Sequence, residues 1–571
     1  MTKFSFRERI FPITQRFGWL KQHLLPLASL LVLSGVTYLS VFDPVISADD
    51  WDLYRKYLFG QEILVNWASR RPLEELGIKI LLAVLGANLR ALFLATVLTI
   101  FITAVAAYFL SRRLFPRCPA AAFPVAALFL IYPVDTTRMW FTQVDHWMIF
   151  AGVLLAILWM WDYAQGGRVW KLVGALLLIL LALGIYEAPY GLAAAGAVLI
   201  ALFLPKVPLR RRLFLSAPLW LGVFYLFWRV AIRPRMLGVQ DPYLSGVDYS
   251  LLGVAQGLSK TFPVFVQAWA APFTFILPGI TTAKLLAILC AASVCCALLV
   301  LALVRSAREE NEKPLSGREK IRESLDFLIP FGIGLVLLLA GYIPVILGGG
   351  ANLNLNGGST RANTYAIFGG ALALASLLGL GGLVLARFRS QVALLALAAA
   401  LPFVLNGAAQ QVWNQNETRI AWRQEQTFWH NLFLVIPNLR SDAILVVVSQ
   451  ESYPAQPFAR LTIAVEWEVM QGLRVLYNNP VLQGTLFFPG FDRGGSRETR
   501  FEPDGVHGYD LALIPYNRAV IVIYTPVNGV IKVVHDPTQE LNLAFQVQGY
   551  NPDPYILPDP PAKTPFRYLV H

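Results

Sequence analysis

Four cysteines are all the chain has, and none is placed for metal or disulfide chemistry. Cys290, Cys295 and Cys296 lie inside one apolar run, Cys118 sits at the edge of another, and no C-x-x-C pair occurs. The six histidines (His23, His146, His430, His507, His535, His571) are scattered. These spacings argue against structural zinc, haem attachment and a disulfide framework. Neither G-x-x-x-x-G-K-[ST] nor G-x-G-x-x-G appears, so nucleotide hydrolysis and nucleotide-sugar binding on a cytoplasmic face have no motif to rest on. Charge is the other scarcity: 14% of residues are charged, where soluble domains carry about 25%. The net charge of +12 is no nucleic-acid signal, because Lys and Arg fall in short clusters between apolar runs and make no binding stripe.

What the chain has instead is hydrocarbon. Of its 571 residues 56% are hydrophobic, and 15 Trp and 21 Tyr supply the rings that anchor at headgroup level. Eleven apolar runs stand out, at 24–42, 91–111, 119–134, 147–162, 172–186, 189–205, 213–231, 283–304, 327–348, 365–386 and 392–406. The pattern predicts a polytopic α-helical membrane region over 1–406, with about eleven transmembrane helices, the first of them uncleaved. Several runs fall short of the ~20 residues a perpendicular helix needs, which implies a thinned bilayer or ends packed in protein. Basic clusters set the orientation. Lys3 to Lys21 precede the first run; Arg112, Arg113 and Arg117 follow the second; Arg168 and Lys171 follow the fourth. Lys206 and Arg210–Arg212 follow the sixth, Arg305 to Arg322 the eighth, and Arg387 and Arg389 the tenth. All fall on one side if the N-terminus is cytoplasmic, which leaves the C-terminus outside.

On the outer side, the loop 43–90 carries Asp49, Asp50 and Asp52, three carboxylates within four residues. Carboxylates this close at a bilayer edge repel one another unless a proton or cation is shared, and coupling raises one of them toward useful basicity. The plain alternative is a solvated acidic loop. The same loop holds Asn66 to Pro72 and then an apolar stretch, Leu73–Leu85, broken by Glu74, Glu75 and Lys79, which reads as an interfacial helix. A second large loop, 232–282, has another apolar run at Phe262–Leu277. Outer cations are Arg70, Arg71, Arg138, Arg229, Arg233, Arg235 and Arg361; Arg229, at the end of an apolar run, either pairs with an anion or snorkels to the interface. Asp145 and His146 at the mouth of the fourth run are an acid/base pair or an interfacial histidine with its partner. Tyr186 and Glu187 cap the fifth run as cleft residues or as a helix-hairpin turn.

From Gly407 to His571 the composition turns soluble. Strands are expected at Ala443–Ser449, Leu482–Phe488 and Ala519–Tyr524. The last continues to Val530–Val534 across the hairpin signal Pro526-Val527-Asn528-Gly529. Leu461–Tyr477 follows a helical period, and Asn551–Pro565 is a Pro-rich extended tail. The reading is a C-terminal soluble α+β domain, 407–571, on the outer face.

The acidic pair in the first outer loop resembles that of membrane glycosyltransferases of the GT-C superfamily. Trp67 followed by Ser69-Arg70-Arg71-Pro72-Leu73 is similar to the Gly-Arg-Pro-Leu element of O-antigen glucosyltransferase-like proteins; Arg70 replaces the glycine, so Arg71, Pro72 and Leu73 carry over. Tyr132-Pro133 and Tyr186-Glu187 stand where such proteins place cleft residues, and the resemblance spans roughly 24–406. It implies a polyprenyl-phosphate sugar donor and a glycan, lipid or protein acceptor on the outer face of a bacterial cytoplasmic membrane. Asp49 or Asp50 would be the base of an inverting displacement. Arg71 with another outer arginine (Arg138, Arg229 or Arg361) would hold the lipid phosphate, and Asp52, His146, Tyr186 and Glu187 would line the cleft. Some GT-C enzymes use a divalent metal at the acidic loop, and Asp49 and Asp50 permit Mg2+ or Mn2+ there. The rival classes are a polysaccharide polymerase, a lipid-linked-sugar transporter, and a non-catalytic scaffold with an outer binding domain. The one sequon, Asn416-Glu417-Thr418, is of a kind common by chance.

Overall fold

The computed structural model describes residues 13–39, 44–46, 48–60, 73–135, 138, 140–186, 189–204, 207–228, 232, 236, 251–274, 289, 293, 315–347, 363–450, 466–488, 499–507 and 513–560. Each expected membrane run except 283–304, of which only residues 289 and 293 are described, falls on a helix where it is described. The helices are α1 (Ile13–Ser34), α4 (Leu89–Leu114), α5 (Ala122–Leu130), α6 (Val144–Ala164), α7 (Val169–Ile185), α8 (Tyr190–Phe203), α9 (Leu209–Phe227), α12 (Gly317–Leu347), α13 (Ile367–Leu385) and α14 (Arg389–Val435). Five helical stretches, Leu89–Leu114, Phe141–Ala164, Gly317–Ile343, Asn363–Leu385 and Gln391–Val435, are long and apolar enough to cross a membrane. Four further helices lie between these in sequence: α2 (Ala48–Leu58), which carries the acidic residues, α3 (Glu74–Leu85), α10 (Leu251–Ser259) and α11 (Thr261–Thr274).

Small residues bring the helices close, as expected where lipid gives no hydrophobic drive between them. The tightest crossing joins α12 to α13. A Cβ on Gly369 would come within 2.6 Å of Leu337 C and 2.7 Å of Gly334 O, and one on Gly341 within 2.6 Å of Ala366 Cα. This crossing sets the start of α13, where Asn363 accepts a hydrogen bond from Tyr342 Oη at 2.7 Å.

The change to soluble composition at Gly407 does not end a helix. α14 runs 47 residues, about 70 Å at 1.5 Å per residue, roughly twice the hydrocarbon thickness. Its second half is polar and becomes part of the C-terminal domain, so the expected boundary at 406/407 falls inside a continuous helix.

In that domain β2 (Ile444–Ser449), β3 (Gln483–Phe487), β6 (Ala519–Thr525) and β7 (Val530–Val533) form one sheet of order β3-β2-β6-β7. β2 is parallel to both β3 and β6, while β7 returns antiparallel across the expected hairpin. α15 (Glu466–Leu476) lies between β2 and β3 in sequence, so the pair forms a parallel crossover unit within the mixed sheet. β2, central and parallel, is buried along its whole length, which explains its unbroken Ile-Leu-Val-Val-Val run. Leu445, Val447, Val520, Val522 and Tyr524 cluster with the end of α14 and with α15. Ile444, Val446, Ile521 and Ile523 cluster with Val506, Ile514, Tyr516 and Val534. The tail is not simply extended: Ile556 and Leu557 (β8) pair antiparallel with Leu439 and Asn438 (β1).

Candidate active site

α2 advances about 100° per residue, so Asp50, Trp51 and Asp52 address three different neighbours. Asp50 is fully buried, and its Oδ1 accepts the backbone N–H of Thr142 (3.1 Å), in the short 3-10 turn that leads into α6. Trp51, also fully buried, donates its indole N–H to Glu425 Oε1 on α14 (2.7 Å). Asp52 pairs along its own helix with Arg55 (2.8 Å) and Lys56 (2.7 Å). Burial opposes ionisation of Asp52, but Lys56 and Arg55 outweigh it and hold the carboxyl below its usual range. Burial and the charge of Arg55 lower Arg474 on α15, with Asp52 opposing, so this network lies between α2 and the C-terminal domain. Asp52 serves that interface, and Asp50 and Asp52 are not presented together. Asp49 stands beside them in the first turn.

The segment that receives Asp50 also receives the other candidates. Arg138 is 1% exposed, and its Nη1 donates to Tyr38 Oη (2.5 Å) and to Leu130 O. Its guanidinium lies over the Trp147 ring at 4.8 Å. Nε stands 3.9 Å from Asp135 Oδ2, and neither Nε nor Nη2 makes a hydrogen bond among the described residues. Among the described residues, the guanidinium edge that forms bidentate forks thus faces Asp135 without a hydrogen bond. Asp135 in turn accepts from Thr364 Oγ1 (3.1 Å).

Next along α6, the His146 ring lies 4.1 Å from that of Tyr186, and Tyr365 stacks 6.2 Å from both. Asp145 is buried against α3: a Cβ on Gly77 would come within 2.6 Å of Asp145 Oδ1, so glycine makes the room. The start of α3 is tied down beside Tyr186, because Leu73 N–H donates to Gly184 O (2.8 Å). Arg71, Glu187, Arg229 and Arg361 lie outside the described residues.

A polar stripe on α14 holds the loop between α5 and α6. Gln411 donates to Tyr132 O, Asn414 to Pro133 O (3.2 Å), and Gln415 to Thr37 O at the end of the first helix (2.8 Å). These residues, with Glu425, Asp135, Thr364 and Tyr365, were not singled out from the sequence. For the amides the signal was there: Gln410-Gln411-Val412-Trp413-Asn414-Gln415 puts them at i, i+1, i+4 and i+5, one face of a helix.

Among the described residues, the group with ligand atoms close enough for a divalent ion is Glu502, Asp504 and His507. It sits on the hairpin of β4 (Arg500–Glu502) and β5 (Gly505–His507), away from α2, with His507 Nε2 3.4 Å from Glu502 and 3.5 Å from Asp504. All three side chains are more than 40% exposed, and exposed acidic groups of this kind are common without an ion.

Residues 40–229 match the family described as glucosyl transferase GtrII. That segment contains α2, the Arg71-Pro72-Leu73 element, Arg138, His146 and Tyr186, so the resemblance carried by the acidic loop is met by a family match over the same residues. No curated protein matches the chain. Among solved structures, it is similar to ArnT from Cupriavidus metallidurans bound to undecaprenyl phosphate, at 14% identity over 81% of this chain and 90% of that one, with a TM-score of 0.30. The apo state of the same protein gives 15% identity over 76% and 83%, also with a TM-score of 0.30.

Proposed function

We propose that this chain, a membrane glycosyltransferase by the family that residues 40–229 match, moves a sugar from a polyprenyl-phosphate donor to an acceptor hydroxyl on the outer face of a bacterial cytoplasmic membrane. The observation that carries the reading is the convergence on one segment, Arg138 to Trp147, of a buried carboxylate (Asp50) and a buried arginine whose Nε and Nη2 make no hydrogen bond among the described residues. Asp50, with Asp49 beside it, takes the proton from the acceptor hydroxyl. The acceptor oxygen forms its bond to the anomeric carbon as the carbon–oxygen bond to the phosphate breaks, and the polyprenyl phosphate leaves with the electron pair. Attack opposite the leaving group inverts the anomeric centre. Arg138 and Arg71 hold the phosphate, since Arg forks match its oxygens. An incoming phosphate would compete with Asp135 for the Arg138 edge. The rings of His146, Tyr186 and Tyr365 form a wall for the sugar. A divalent ion bound near Asp49 would add charge at the phosphate, and nothing in the step above depends on it.

The Arg71-Pro72-Leu73 element is the part of the family motif that carries over, and in this reading Arg71 grips the donor phosphate. Arg71→Ala should therefore raise the KM for the donor more than it lowers kcat. Arg71→Lys should recover only part, because a point charge lacks the fork. The assay is sugar transfer from a synthetic polyprenyl-phosphate sugar; unchanged donor KM in Arg71→Ala would remove Arg71 from the site, and no saturable donor use by the wild type would favour a scaffold. We also place the N-terminus in the cytoplasm: a reporter fused after His571 should read external, and a cytoplasmic signal would mean that the count of eleven spans is wrong by an odd number.

A further inference from the structure

The geometry points to Glu425 as a positioning residue that, through Trp51, sets the angle at which α2 presents Asp50, with the C-terminal domain completing the seat. This rests on Asp50 being the base.

One oxygen of Glu425, Oε1, accepts two indole N–H groups, from Trp51 (2.7 Å) and from Trp429 (3.0 Å). Glu425 is 2% exposed, and both indoles are fully buried. Trp429 is fixed in its turn by α15: a Cβ on Gly472 would come within 2.8 Å of Trp429 Cη2. The chain of contacts therefore runs from the domain (Gly472) through Trp429 and Glu425 to Trp51, the residue next to Asp50. The remaining sides of α2 are held by other means. Tyr54 packs edge-on against Phe141 at 5.5 Å and donates to Ala87 O (3.2 Å), while the charges of Arg55 and Asp52 act on Arg474 of α15. Removing the Glu425 contact therefore frees the rotation of α2 without detaching it.

Rotation matters because of leverage. A carboxyl carbon stands about 5–6 Å from the helix axis, Cα alone being at about 2.3 Å. A turn of about 10° then moves it by about 1 Å, and a misplacement of that size can cost on the order of 10²-fold in rate. A contact that merely stabilised the fold would lower melting temperature but would leave turnover per folded molecule unchanged.

The test uses full-length protein and the donor-transfer assay, with Glu425→Leu, Glu425→Gln and Trp51→Phe made alone and in an Asp50→Asn background. Alone, Glu425→Leu and Trp51→Phe should lower kcat by roughly 10²-fold with little change in donor KM. Glu425→Gln should recover most of that loss, since the amide oxygen still accepts both indole N–H groups. In the Asp50→Asn background the same substitutions should cost almost nothing further, because contacts that act through one another are non-additive. Equal losses in both backgrounds, or a glutamine variant as poor as leucine, would overturn the role given to Glu425. If Glu425→Leu does not fold, Trp51→Phe, which removes the donor and keeps a smaller aromatic ring, decides alone by its turnover per folded molecule in the two backgrounds. Full turnover in Asp50→Asn would overturn the base assignment first and Glu425's route of action with it, an outcome distinct from a normal Asp50→Asn loss with additive Glu425 effects.

Discussion

Asp50→Asn should reduce sugar transfer by roughly 10²–10⁴-fold, the usual worth of a general base, with the folded protein recovered in normal yield. Asparagine matches aspartate in size, and its Oδ1 can still accept the Thr142 N–H that now meets Asp50 at 3.1 Å. What it cannot do is take a proton from the acceptor. Donor binding should hardly change, since the carboxylate is assigned to the acceptor side of the reaction. Asp49→Asn should give a different, smaller loss, because two adjacent helical residues point about 100° apart and only one can reach a given hydroxyl. The measurement is kcat and donor KM for each variant, with thermal melting alongside. Wild-type turnover in the folded double variant would end the proposed mechanism.

The second large effect is on assembly. Gly369→Val should prevent α13 from seating on α12 and should sharply lower the yield of monodisperse protein. The atoms a side chain would strike, Leu337 C and Gly334 O, belong to the backbone of the facing helix and cannot rotate away. Overpacking typically costs about 1–3 kcal/mol and more where nothing can yield. Gly369→Ala should already lower the melting temperature. Gly381, on the same helix, is the control, because a methyl group added there would meet nothing within 4 Å; alanine at that position should be neutral or stabilise by up to about 1 kcal/mol. Equal melting of Gly369→Ala and wild type would show that the crossing is looser than its geometry. The consequence would reach the site, because this crossing holds Tyr342 to Asn363, next to Thr364 and Tyr365.

Much of the architecture is written in the sequence because it is local. Apolar runs, basic clusters and a hairpin signal need no partner to be recognised, and the helices, β6, β7 and their turn stand where those signals are. The end of α14 was not legible, because hydropathy marks where a bilayer stops and says nothing about where hydrogen bonding along a helix stops. After Gly407 the segment up to Val435 has no proline or further glycine and is rich in Ala, Gln, Arg and Glu, all tolerant of helix. The order of the sheet was not legible either, since β3 and β6 reach the two sides of β2 through long connections. Within the site, Asp52 could have been separated from Asp50: Arg55 and Lys56 stand at i+3 and i+4 from it, the spacing of helical ion pairs. Glu425 could not. Trp429, at i+4 on its own helix, is within local reach, but Trp51 is 374 residues away in sequence, and no local rule reaches it.

The unbroken run of α14 from Arg389 to Val435 has a mechanical meaning for the acceptor. A domain on a flexible linker samples many heights and headings above a membrane; a domain on a helix is mounted on a screw. Each residue of thread adds about 1.5 Å of elevation and about 100° of turn, and neither can be adjusted without the other. In the reaction proposed above, an acceptor would therefore have to arrive at one altitude and one compass bearing, and homologous chains with acceptors of different reach would be expected to alter α14 by whole turns.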